Sequence, residues 1–193
     1  MQLWVGLGNP EPGMARQRHN IGFMAVDAIA ARHGFSPWRA RFKGLAAEGQ
    51  VGGRKLILLK PMTYMNLSGV AVRDAANFYK IDPSDIILFH DELDLTPGKI
   101  RVKKGGGNAG HNGLRSTDQH LSTPDYWRVR LGIGHPGDKA RVTGWVLGDF
   151  SKADQDWFRP MLQSVADEAS LLAEGRMEDF MTRLAVLNTN KPA

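Results

Sequence analysis

Cysteine is absent from this 193-residue chain. That excludes disulfides, thiolate zinc sites and a cysteine nucleophile, so any covalent chemistry falls to other side chains. No apolar run approaches the roughly 20 residues needed to cross a bilayer. Met1-Gln-Leu-Trp-Val opens without the basic segment, apolar core and small-residue cleavage site of a secretory signal, so a cytoplasmic protein is expected. Linker and low-complexity tracts are also missing. One domain over residues 1–187 is therefore expected, with a frayed polar tail at 188–193.

Several motif classes are missing too. Gly6-x-Gly8 fits the first half of a dinucleotide-binding turn, but Glu11 stands where the third glycine belongs, and Pro10 and Pro12 prevent a clean helix start. The glycines at 105–113 are not followed by the Lys-Ser/Thr of a phosphate-binding loop. Ser68 lacks the first glycine of a nucleophile elbow, which makes it a weaker nucleophile candidate. His90, Asp91, Glu92 and His111 leave a metal site open, though no His-Glu-x-x-His pair supports one.

What is present is an ordinary globular balance, 42% hydrophobic and 23% charged, with an uneven distribution of charge. The net charge is +5 and the pI near 9.6. Residues 95–145 hold nine Lys and Arg against three Asp, a net of +6, whereas 149–180 hold three against eight Asp and Glu, a net of −5. The middle of the chain thus favours a polyanionic partner, a nucleic acid or a phosphate-bearing ligand.

Leu3–Leu7, Lys55–Lys60 and Ile86–Phe89 are apolar without alternation, the pattern of strands buried on both faces. Residues 40–50 suggest one strand leading to a hairpin at Gly52-Gly53. Ile21, Met24, Ala25, Ala28 and Ile29 fall at helical spacing over about 20–32, ending at Gly34, and a second helix is expected over 69–79. Asp82-Pro-Ser-Asp85 reads as a turn or short cap. Lys99–Lys103 alternates as a strand with one basic wet face, and Tyr126–Gly134 alternates as a strand nearer the sheet edge. Between them, 104–114 reads as a ligand-facing glycine loop, and 135–141 as a mobile basic loop. Ser151 and Asp154 form a capping box for a helix expected to run to Glu174, stopped by Gly175, with a last helix over 177–187.

The three buried strand patterns end in polar side chains, Asn9, Asn66 and Asp91. If the strands are parallel neighbours these residues face one crevice at the strands' carboxyl ends, with His19 on the same side and the loop bearing Asn112 closing over it. That constellation suits general-base hydrolysis, with Asp91 orienting His19 and amides holding water or the oxyanion. The expected architecture is a single α/β domain, a mixed twisted sheet with a parallel core and helices on both faces.

Gly8-Asn9-Pro10, Arg18-His19-Asn20, Pro61-x-Thr-Tyr-Met65-Asn66-Leu-Ser-Gly69, His90-Asp91-Glu-Leu-Asp94, Gly105-Gly-Gly-Asn-Ala-Gly-His111-Asn112-Gly113 and Arg130-Leu-Gly-Ile-Gly-His135-Pro together resemble the bacterial peptidyl-tRNA hydrolase family, in order and over essentially the whole chain. The resemblance implies hydrolysis of the ester joining a peptide to the terminal ribose of tRNA, by a monomer without metal or other cofactor. It implies His19 as base, Asp91 as its partner, and Asn9, Asn66 and Asn112 holding substrate or water. Met65 and Tyr64 would line the substrate cleft, and Lys103, Lys104, Arg130 and Lys139 would contact tRNA. A catalytically silent RNA-binding module of the same fold is the alternative. The family usually has Gly, Tyr and Thr where this chain has Glu11, Met14 and Gln17, so Met14, placed at the substrate, packs without the tyrosine's hydrogen bond.

Overall fold

Chain segments that are apolar without alternation have two faces to bury, and each of the three becomes an interior strand. The computed structural model describes the backbone of residues 1–189 and the side chains of 1–187, so most of the tail expected at 188–193 lies outside the described residues. Among these, β1 (Gln2–Gly6), β2 (Arg39–Arg41), β3 (Gly44–Val51), β4 (Arg54–Pro61), β5 (Ile86–Glu92), β6 (Ile100–Lys104) and β7 (Trp127–Gly132) form one sheet in the order β2-β3-β4-β1-β5-β7-β6. The core β4-β1-β5-β7 is parallel. β2, β3 and β6 are antiparallel additions at its edges.

Side chains alternate across the sheet. Trp4, Leu58, Ile87 and Phe89 meet α1 (Ile21–Arg32), α5 (Gln155–Asp167), α6 (Ala169–Ala173) and α7 (Met177–Thr189) on one face. Leu3, Val5, Ile57, Leu59 and Leu88 meet α2 (Ser68–Tyr79) and α3 (Asn112–Leu121) on the other. Each fully buried aliphatic side chain contributes about 1.5–3 kcal/mol relative to exposure, which is why these runs take the centre of the sheet. A short α4 (Val142–Val146) lies beyond the sheet, after the turn at 139–141.

Three expectations change in detail. Residues 40–50 are two strands, because Phe42 and Lys43 both adopt left-handed backbone, φ 54° and 55°, and reverse the chain there. Two consecutive positive φ values match the right-handed twist of a tight hairpin, at a cost of about 1 kcal/mol or more for each non-glycine residue. The helix expected over 151–174 is broken at Glu168 into α5 and α6, both still packing on the same core. Ser151 and Asp154 do bond reciprocally, Ser151 N–H donating to Asp154 Oδ2 at 2.7 Å and Asp154 N–H to Ser151 Oγ at 3.2 Å, but they close the turn before α5, which begins at Gln155 with Asp154 at its N-cap.

The third concerns the glycine loop, whose end at Asn112-Gly113-Leu114 is helical and opens α3. Helical propensity argues against Gly113, but packing overrides it. A Cβ there would lie 2.6 Å from Met65 Sδ and 2.8 Å from a Leu7 methyl.

Candidate active site

Close backbone approaches place the site. A Cβ on Gly6 would sit 2.2 Å from the Gly22 carbonyl oxygen, and one on Gly22 2.4 Å from that of Phe89. Only two glycines let the start of α1 settle onto the ends of β1 and β5, and this carries the single turn Arg18–Asn20 to the carboxyl edge of the sheet. Asn20 locks the turn to the preceding loop. Its Oδ1 accepts from Asn9 N–H at 2.9 Å and its Nδ2 donates to the Asn9 carbonyl at 3.0 Å. Arg18 packs its guanidinium 3.6 Å from the centre of the Trp145 ring and donates to the Trp145 carbonyl.

His19 and Asp91 then meet. His19 Nδ1–H donates to Asp91 Oδ2 at 2.8 Å, both residues being buried. His19 Nε2 has no partner among the described residues and belongs to the wall of a cleft of about 900 Å³. Asp91 Oδ1 accepts from His111 Nε2–H at 2.7 Å, and His111 Nδ1 accepts from the Gly113 and Leu114 amides at 3.1 and 3.3 Å, capping α3. Burial is the largest influence on His19 and disfavours its charged form, but the charge and hydrogen bond of Asp91 together outweigh it, so the pKa is raised above the ordinary 6.5. Burial likewise pushes the Asp91 carboxyl up, and the two imidazoles overcome it, holding the group well below the usual carboxylate range. His90 is buried, donates Nδ1–H to the Asp91 carbonyl at 2.8 Å and leaves Nε2 unpartnered. Burial, with the adjacent His111 next, lowers its pKa to about 3.

The remaining polar residues gather unevenly. Asn9, Tyr64, Met65, Asn66, Asn112, Lys103 and Arg130 all line the cleft with His19 and Asp91. Asn9 Oδ1 accepts from Met65 N–H at 2.9 Å, which fixes the Met65–Leu67 turn and leaves the Asn9 Nδ2 donors free. Arg130 donates to Glu92 at 2.8 Å. Lys104 is exposed on β6, Lys139 is exposed in the turn at 139–141, and half-buried Met14 ends the turn at 12–14. None of these three lines the cleft. Tyr64 is exposed and its hydroxyl donates to Glu11, whose carboxylate pushes the phenol pKa up.

His19, Asp91 and His111 also bring one ligand atom each within 4.8 Å of one another, a candidate metal trio. The donor chemistry does not fit a metal. Two backbone amides occupy His111 Nδ1, so the proton is on Nε2, the nitrogen that would have to ligate. Binding there would displace both caps or require an imidazolate.

The family profile described as peptidyl-tRNA hydrolase matches residues 3–192. The chain belongs to the peptidyl-tRNA hydrolase family. It is 72% identical over 185 residues to the peptidyl-tRNA hydrolase of Granulibacter bethesdensis, covering 96% of this chain and 95% of that one. It is 68% identical over 187 residues to that of Acidiphilium cryptum, covering 97% of each. Among solved structures it is similar to peptidyl-tRNA hydrolase from Acinetobacter baumannii, with TM-score 0.89, 41% identity and coverage of 95% and 94% of the two chains. A complex of a peptidyl-tRNA hydrolase with N-propanol gives TM-score 0.91 at 42% identity, covering 100% of this chain and 97% of that one. The fold expected from the sequence, a mixed sheet with a parallel core, is the one these family structures share.

Three residues at the site had no assigned role at the level of sequence. His111 stood only among possible metal ligands, yet it is the second partner of Asp91. Asn20 belongs to the Arg18-His19-Asn20 motif, but its bracing of Asn9 depends on a turn that spacing does not reveal. Arg128, counted among the cations of the basic middle segment, is 1% exposed and donates to the Gly107 carbonyl at 2.8 Å and to Asp118 at 3.2 Å, tying the glycine loop to α3. Its signal is Asp118, visible only once α3 is known.

Proposed function

We propose that this chain hydrolyses the ester between a peptide and the 3′-terminal ribose of tRNA, a carboxylic ester hydrolysis that returns free tRNA and peptide. The observation that carries the reading is the 2.8 Å bond from His19 Nδ1 to Asp91, which leaves Nε2 as an unpartnered base at the wall of an open cleft. Nε2 takes a proton from water as the water oxygen attacks the ester carbonyl, and Asp91 stabilises the imidazolium that forms. The free amide of Asn9 and the side chain of Asn112 donate to the water or to the carbonyl oxygen as charge develops on it. Collapse of the tetrahedral intermediate breaks the bond to the ribose oxygen, which receives the proton back from His19. Met65, Tyr64 and Asn66 bound the peptide end. Lys103 and Arg130 face the phosphates at the other end, with Lys104 and Lys139 on the flanking surface. The reaction needs no cofactor, and this reading has a monomer acting in the cytoplasm.

The test is peptide release from purified peptidyl-tRNA. His19→Ala is expected to lower kcat by about 10²- to 10⁴-fold, the usual contribution of a positioned base. Release at the parent rate would end the proposal.

A further inference from the structure

A second basic surface lies at the opposite edge of the sheet from β6. Residues 39–60 hold six Lys and Arg against one acid, Glu48. The register of Arg39 with Ala46, Arg41 with Gly44 and Lys55 with Gln50 puts Arg39, Arg41 and Lys55 on the α2 face of β2, β3 and β4. All three are exposed, as is Lys43 in the turn. Arg41 donates to the Tyr79 hydroxyl at 2.8 Å and lies 4.0 Å from Glu48. Arg39, Lys43 and Lys55 make no side-chain ion pair among the described residues.

Aromatic rings stand among these charges. Phe78, at the end of α2, is 61% exposed, far more than packing requires. Its ring lies 5.4 Å from Phe42 and 4.9 Å from Tyr79, and the Arg41 guanidinium lies 4.5 Å over Phe42 and 4.8 Å over Phe78. The turn that presents Phe42 keeps two bulky residues in left-handed backbone, where Asn-Gly would sit without strain. The turn seats Phe42 half-buried against the core of that face, which holds its ring fixed beside the exposed Phe78.

We infer that this edge is a docking surface for single-stranded RNA, with an unpaired base stacked on Phe78 and its flanking phosphates on Arg39, Arg41 and Lys55. Basic side chains with interleaved aromatics suit that ligand because every base has a face to stack and every nucleotide a charge to pair. An acidic protein would leave the exposed ring without a purpose. The surface is separate from the cleft's cationic side, since β2 and β6 are six strand spacings apart, roughly 25–30 Å. The inference goes beyond the proposed hydrolysis and does not depend on it.

The experiment titrates the full chain into a fluorescein-labelled ten-nucleotide single-stranded RNA, in the presence of a saturating tRNA acceptor-stem duplex that fills the cleft. The parent is expected to bind the decamer with the duplex present. The double change Arg39→Ala, Arg41→Ala is expected to weaken binding about tenfold and to lower the slope of log affinity against log salt by about 1.4, roughly 0.7 for each lost phosphate contact. Phe78→Ser should weaken binding at least about fivefold at unchanged slope, with Phe78→Tyr restoring it, and Glu48→Gln should tighten it. Peptide release stays at the parent rate in every variant, which separates this surface from the catalytic reading. Displacement of the decamer by the duplex would overturn the inference. So would parent affinity in both the double variant and Phe78→Ser, or a poly-glutamate peptide binding as tightly as the RNA through the same residues.

Discussion

On one wall of the cleft, the turn at 18–20 brings His19 to Asp91 Oδ2 at 2.8 Å; on the facing wall, the start of α3 brings His111 to Asp91 Oδ1 at 2.7 Å. By distance to the carboxylate the two imidazoles are equivalent, and their rings are 5.0 Å apart. They differ in the other ring nitrogen. That of His111 is consumed by two amides of a helix N-terminus, and that of His19 is left to the cleft. A base needs a free lone pair, so in the proposed hydrolysis the role falls to the wall where the backbone asks nothing of the ring.

The strongest way to break this contrast is to alter what the walls share. Asp91→Asn is expected to lower kcat by about 10²- to 10⁴-fold, because an amide neither fixes the His19 tautomer nor stabilises its imidazolium. The pH profile moves as well. In the parent His19 has a raised pKa, so activity is lost as pH falls through a value above 6.5. Without the Asp91 charge burial dominates and the acid limb of the residual activity shifts to lower pH. A residual profile that keeps the parent limb would show that another group titrates.

How much of this the chain announces in advance differs between the walls. The parallel core was readable because β1, β4 and β5 each carry a short apolar run without alternation, Leu3–Val5, Leu56–Leu59 and Ile86–Phe89, as strands buried on both faces do. Once those strands are parallel neighbours, Asn9, Asn66 and Asp91 fall at one edge by topology. The His19 wall was therefore legible. The α3 wall was not, since its first helical residues are Asn112 and Gly113, poor helix formers whose placement is decided by a contact with Met65 and Leu7 and by a histidine cap. Arg128, counted with the basic middle segment, is hidden for the same reason. A charged residue at an alternating position reads as solvent-facing until Asp118 is brought beside it by that helix.

A smaller effect sharpens the comparison from the α3 side. His111→Ala removes one hydrogen bond to the charged carboxylate and the cap of α3. The expected cost is about tenfold in kcat, as for ~1.5 kcal/mol of lost support, and about 1 kcal/mol of stability in denaturant unfolding. Asparagine caps helices as well as any residue, so His111→Asn should recover the stability while leaving the rate low. If Asn restored both, the bond from His111 to Asp91 would be incidental. A loss as deep as that of His19→Ala would remove the asymmetry altogether.

The smallest expected effect is on stability against pH, where His19 and His90, the neighbour of Asp91 on β5, act with opposite sign. His19 has a folded pKa above its ordinary 6.5, so its contribution is fully present below 6.5 and is lost as pH rises through the raised value. His90 packs edge-on to His111 with ring centroids 5.2 Å apart, and has a folded pKa of about 3. Unfolding releases it to take up a proton at any pH between about 3 and 6.5, so its contribution is present above 6.5 and is lost as pH falls through that window. His90→Gln keeps a donor for the Asp91 carbonyl but cannot be protonated. Its thermal midpoint is expected to fall more slowly than the parent's between pH 6.5 and 4.5, closing a gap of a few degrees. Parallel decline of the two proteins would mean that His90 accepts a proton in the folded state, and that the end of β5 between the walls holds charge as readily as the wall that carries His19.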